Sequence, residues 1–166
     1  MTIETSTLLP DILALIAEAP DGTAAMTRTV AALKAALPHY TWAGIYVLDG
    51  DELVLGPYLG KPSPHTRIPL GRGICGAAAS QKQTIVVDDV NSDPRYLACS
   101  IETKSEIVVP IMRGDTVLGE IDIDSDRPAA FGAMDRTLLE RVALALAAKW
   151  GQTGVRPGSN PGLTPV

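Results

Sequence analysis

The chain has 166 residues, 46% hydrophobic and 20% charged, with a formal net charge of −5. That is enough length and apolar content for one domain with a buried core, and it excludes a disordered chain. The acidic balance disfavours a nucleic-acid partner, and Asp11, Glu18, Arg28 and Lys34 interrupt the apolar stretches before any reaches the ~18–20 residues that cross a bilayer.

Residues 8–19 and 23–37 both read as helices, rich in Ala and Leu with apolar residues three and four apart. Pro20-Asp21-Gly22 breaks the first and Pro38 ends the second. Residues 40–48 and 52–58 read as strands turned at Asp49-Gly50-Asp51, since Asp-Gly between apolar runs is a hairpin signal. A Gly/Pro-rich loop, 60–66, leads through Arg67-Ile68-Pro69-Leu70 to a short packed helix of small residues, 74–82. Residues 84–87 are β-branched and predict a buried strand. Asn91-Ser92-Asp93-Pro94 punctuates the chain before an irregular segment that carries Cys99. Residues 106–112 and 116–125 predict a second hairpin, turned at Arg113-Gly114-Asp115. The last helix, 133–150, repeats Leu138, Val142 and Leu146 on one face with Leu139 beside them. The order predicts an α+β domain, a central antiparallel sheet with helices packed against it. Residues 1–39 supply helices that pack on the domain, 40–150 its core, and 151–166 a Gly/Pro-rich tail expected to be mobile.

Three groups of residues could carry chemistry. Alternation puts Trp42, Gly44 and Tyr46 on one strand face, where a glycine between rings reads either as a slot for a small apolar group or as part of an aromatic core. Asp122 and Asp124 share a face of Gly119-Glu120-Ile121-Asp122-Ile123-Asp124-Ser125, and Glu106 opens the partner strand. Depending on register, these carboxyls cluster, and one keeps its proton as a general acid; the alternative is a solvated sheet face or capping at the strand end. Cys75 lies near the start of the short helix, where the helix dipole favours a thiolate, and Cys99 lies in a segment that could act as a lid. Taken singly, each reads first as an inert buried cysteine, as most free cysteines are. Two cysteines without C-x-x-C spacing, with only His39 and His65 to join them, predict neither a disulfide scaffold nor a metal site. An N-terminus without a basic segment predicts no signal peptide and a cytoplasmic protein.

Trp42-Ala43-Gly44-Ile45-Tyr46, Leu55-Gly56-Pro57-Tyr58-Leu59-Gly60 and Arg67-Ile68-Pro69-Leu70-Gly71-Arg72-Gly73-Ile74-Cys75-Gly76 together resemble the free methionine-R-sulfoxide reductases. So do Asp88-Asp89-Val90, Ala98-Cys99, Ser105-Glu106-Ile107-Val108-Val109-Pro110 and Asp122-Ile123-Asp124-Ser125, a match that runs from about residue 40 to the end of the last helix. The resemblance implies a GAF fold, a homodimer, no cofactor, and reduction of free methionine-R-sulfoxide with electrons from thioredoxin or another thiol reductant. It makes Cys99 similar to the family's attacking cysteine and Trp42 and Tyr46 similar to the wall around the substrate's methyl end. Glu106, Asp122 and Asp124 resemble the carboxyls that contact the sulfoxide and the amino group. Two positions depart from the family. His65 stands where a resolving cysteine is common, ten residues before Cys75, which leaves Cys75 or an external thiol to regenerate Cys99. Tyr96 stands where a histidine is common. A ligand-binding or redox-sensing GAF module without turnover is the alternative reading.

Overall fold

Two hairpins form the middle of the sheet in the computed structural model, which describes residues 3–98 and 100–150, with side chains from Thr7 onward. Cys99 and the tail expected to be mobile, 151–166, lie outside the described residues. The first hairpin joins β1 (Trp42–Asp49) to β2 (Glu52–Leu59) through Gly50 at φ +63°. The second joins β5 (Ser105–Arg113) to β6 (Thr116–Ser125) through Gly114 at φ +59°. Both turns need a residue that enters the left-handed region without cost, which is why Gly stands in each. Two three-residue strands, β3 (Arg67–Pro69) and β4 (Ile85–Val87), complete a six-stranded antiparallel sheet of order β3-β2-β1-β6-β5-β4.

The strand β3 does not show in the sequence. Three residues are too few for alternation to register, and Pro69 argues against a strand except at an edge, where its missing N–H is harmless. Pairing of β1 with β2 shifts between Gly44↔Tyr58 and Tyr46↔Leu55, so β2 holds one extra residue around Gly56-Pro57. The bulge sits where Pro cannot donate to the ladder and where a Cβ on Gly56 would meet the Ile45 carbonyl oxygen at 2.9 Å.

Helices α1 (Ile3–Glu18), α2 (Gly22–Ala36) and α4 (Ala133–Trp150) cover one face of the sheet, against Ala43, Ile45, Val47, Ile107, Val109, Ile111, Ile121 and Ile123. Asp21, expected only as part of a break, also starts α2: its Oδ1 accepts from the Ala24 N–H at 2.8 Å. The buried stripe of α4 runs through Leu139, Val142, Leu146 and Trp150, and Leu138 is only half-buried. The register of that helix is held at its start by Asp135, which accepts from the Gly132 N–H at 2.9 Å and from the Tyr40 hydroxyl at 2.7 Å. The short α3 (Gly73–Gln81) packs alone on the other face, with Ile74, Cys75, Ala78 and Ala79 against Tyr46, Val87 and Val108. Among the described residues no helix is long and apolar enough to cross a membrane.

Candidate active site

Alternation along β6 sends Ile121 and Ile123 into the helical layer and Glu120, Asp122 and Asp124 to the α3 face. The register then decides their neighbours. Asp124 lies opposite Trp42 on one side and Glu106 on the other; Asp122 lies between Gly44 and Val108, and Glu120 between Tyr46 and Pro110. All four carboxyls are buried. From α3 above them, the Cys75 thiol comes within 3.4 Å of Asp122 Oδ2 and 3.8 Å of Glu106 Oε1. The convergence left open by the sequence is therefore present, and the solvated-face alternative is not.

Burial in this cluster favours protons. It raises the Asp124 carboxyl well above the ordinary range, and the Asp122 charge raises it further. Glu120 is raised for the same two reasons, against a smaller opposing effect of Cys75. Burial also raises Asp122, although hydrogen bonding from Glu106 and Cys75 opposes it. Two carboxyls that hydrogen-bond each other must hold a proton between them, so Glu106 and Asp122 act as one acid. Cys75 departs from expectation. Burial first, then the charges of Asp122, Glu120 and Glu106, push its thiol well above its ordinary value. A helix N-terminus contributes at most about 1–2 kcal/mol to an anion, too little to offset desolvation beside three carboxyls, so Cys75 is a thiol rather than the thiolate its position predicted.

A narrow recess of ≈ 20 Å³ opens over these groups, lined by Tyr46, His65, Ile74, Cys75, Leu97, Glu106 and Asp122 among others. Trp42 does not line it. The gap expected at Gly44 is filled by the indole of Trp42, whose Cη2 lies 2.4 Å from where a Gly44 Cβ would be. That ring stacks on Tyr58, with centroids 5.5 Å apart and planes at 18°, and borders a second recess of ≈ 130 Å³ with Asp124, Lys61 and Glu102. The polar tips of both aromatics anchor the 60–66 loop: Trp42 Nε1 donates to the Lys61 carbonyl at 3.0 Å and the Tyr46 hydroxyl to the His65 carbonyl at 2.9 Å. From that loop, His65 Nε2 donates to the Ala98 carbonyl at 3.1 Å and Lys61 pairs with Glu102.

A family model described as the GAF domain matches residues 21–150. The chain is 40% identical over 115 residues to the free methionine-R-sulfoxide reductase of Escherichia coli (strain K12), covering 69% of each. Its identity to the protein of the same name from Saccharomyces cerevisiae is 46% over 116 residues, 68% of this chain and 64% of that one. The chain is a GAF domain of the free methionine-R-sulfoxide reductase family. A solved free methionine-R-sulfoxide reductase from Neisseria meningitidis, in complex with its substrate, superimposes with a TM-score of 0.84 at 38% identity over 88% of this chain and 87% of that one.

In this GAF domain the structure brings Cys75, Glu106, Asp122 and Tyr46 to one recess and sets Trp42 and Asp124 at its neighbour. Cys99 lies outside the described residues; the flanking Tyr96 is half-buried, its hydroxyl turned toward the Ser100 carbonyl at 3.5 Å. Sequence reasoning missed Glu120. It sits two residues before Asp122 and so shares its face, a signal already present in the alternation Glu120-x-Asp122-x-Asp124. Unlike the other acids it is fully enclosed, and neither carboxyl oxygen has a hydrogen-bond partner.

Proposed function

We propose that this GAF domain reduces the R epimer of free methionine sulfoxide to methionine, with Cys99 as the nucleophile. The observation that carries the reading is the buried acid pair Glu106–Asp122, facing a small recess walled by Tyr46. A sulfoxide oxygen leaves poorly unless protonated, and a carboxyl kept neutral by burial supplies that proton at neutral pH. Attack by the Cys99 sulfur on the activated sulfoxide releases methionine and leaves a sulfenic acid on Cys99, so the two-electron oxidation passes from substrate to enzyme. Condensation of that sulfenic acid with a thiol forms a disulfide and water, and exchange with thioredoxin or another dithiol restores Cys99. The carboxyls at the recess also select a free amino acid, whose α-ammonium they attract, over a peptide-bound residue. Cys75 is the chain's other thiol. Its burial as a neutral thiol slows it as a resolving group, which favours direct reduction by an external thiol. We read the protein as a cytoplasmic homodimer, a compartment and assembly consistent with thiol-dependent turnover.

Separated R and S epimers of free methionine sulfoxide, each with dithiothreitol and with thioredoxin, test this. Turnover of the R epimer alone, lost in Cys99→Ser, is the expected result. Full activity in Cys99→Ser overturns the nucleophile. Tight retention of the sulfoxide with no methionine formed favours a binding or sensing module instead.

A further inference from the structure

The substrate reading leaves charge and donors unused. An α-ammonium brings one positive charge, yet Glu106, Glu120, Asp122 and Asp124 are all buried on the same sheet face beside a thiol. Neither oxygen of Glu120 has a partner, nor has Asp122 Oδ1. Glu120 nevertheless acts on the Cys75 thiol, so its carboxyl borders the same cluster. Buried carboxyls without partners are costly, and a cation that displaces their protons satisfies them directly.

We propose that Cys75 Sγ and one carboxylate oxygen each from Glu106 and Asp122 form a binding site for a thiophilic divalent cation of the zinc class, which shuts the recess to the sulfoxide. The site rests on the function proposed above only in that competition; its ligand geometry stands apart from it. A tetrahedral ion about 2.3 Å from sulfur and about 2.0–2.2 Å from oxygen holds each sulfur and oxygen about 3.5 Å apart. The observed separations are 3.4 and 3.8 Å, and the three ligand atoms all lie within 4.8 Å of one another. A thiolate with two carboxylates suits a borderline ion better than magnesium or calcium, which want oxygen alone. Binding exchanges protons for the metal: the S–H bond breaks and the S–metal bond forms, the proton shared by Glu106 and Asp122 gives way to metal–oxygen bonds, and two protons leave to solvent with no change of oxidation state. Glu120 stands behind the ligands as an outer carboxyl. The cysteine spacing, which predicted no metal site, has no bearing on ligands contributed by α3, β5 and β6 together.

Cobalt(II) titration of Cys99→Ser in chelator-treated buffer tests the site, because Cys75 is then the only thiol in the chain. The expected result is a sulfur-to-cobalt charge-transfer band with intense visible bands of tetrahedral geometry, displaced by zinc and by methionine-R-sulfoxide. The isosteric Glu106→Gln, checked for folding by circular dichroism, should weaken cobalt at least roughly 10- to 100-fold, the loss typical of removing even an outer-shell partner. No charge-transfer band at saturating cobalt overturns the proposal. So does a band whose affinity Glu106→Gln leaves unchanged, which means a thiol acting alone. A band that saturating sulfoxide does not diminish overturns the competition. Turnover is assayed separately with chelator present, so a cobalt site without turnover defeats the proposed function and leaves the metal site standing.

Discussion

Asp122 is the residue on which the cluster turns. It touches Cys75, hydrogen-bonds with Glu106 and repels Glu120 and Asp124 when charged, so its proton is shared in all the acid–base behaviour of the recess. Replacement by Asn keeps the shape and removes the acid. In Asp122→Asn, kcat for the R epimer should fall roughly 10²- to 10⁴-fold, the range for loss of a positioned general acid, with a smaller change in KM. Steady-state kinetics on both parameters checks this; an unchanged kcat assigns the proton elsewhere. Cys75 shows how position misleads at this scale. Its place near a helix N-terminus was visible in the sequence, but the three carboxyls that keep it protonated come from other strands.

Between elements, the connection that matters joins β1 to the 60–66 loop. Two strand aromatics, Tyr46 at one recess and Trp42 at its neighbour, hold that loop by their side-chain polar atoms, and the loop in turn holds Ala98 through His65. A neutral hydrogen bond contributes about 1 kcal/mol net. Tyr46→Phe removes the bond to the His65 carbonyl and keeps the ring, so it should cost about 1 kcal/mol in denaturant unfolding. It should also speed amide exchange in residues 60–66 and not in β1. Uniform exchange across the sheet would show instead that the hydroxyl supports the core. The pairing of Trp42 with Gly44 was legible as a shared face, but its outcome was not. Alternation fixes which way a side chain leaves the strand, while the ring's lean over Gly44 depends on Tyr58 in β2.

At the scale of the whole molecule, four buried carboxyls tie folding to pH. Burial raises Glu120 well above its ordinary value of 4.5, so the native state holds a proton that the unfolded chain releases as pH rises past that value. Stability is therefore fullest below the unfolded pKa and falls as pH rises toward the folded one, by up to about 1.4 kcal/mol per pH unit for each retained proton. In chelator-treated buffer the melting temperature should drop as pH rises above 4.5, and that of Glu120→Gln, which does not ionise, should drop less. Parallel profiles would place the titration on another group. The sequence by itself determined the two hairpins, the long helices, the α+β class and the face on which each strand residue lies, because these follow from periodicity and turn chemistry within a few residues. It also carried the family resemblance that the comparisons bear out. Only the tertiary structure decided that β3 pairs at the sheet edge, that Trp42 fills its own gap, and that Cys75 meets Glu106 and Asp122. Those depend on register and on the packing of α3 over β5 and β6, contacts between residues 31 and 47 positions apart that no local pattern encodes.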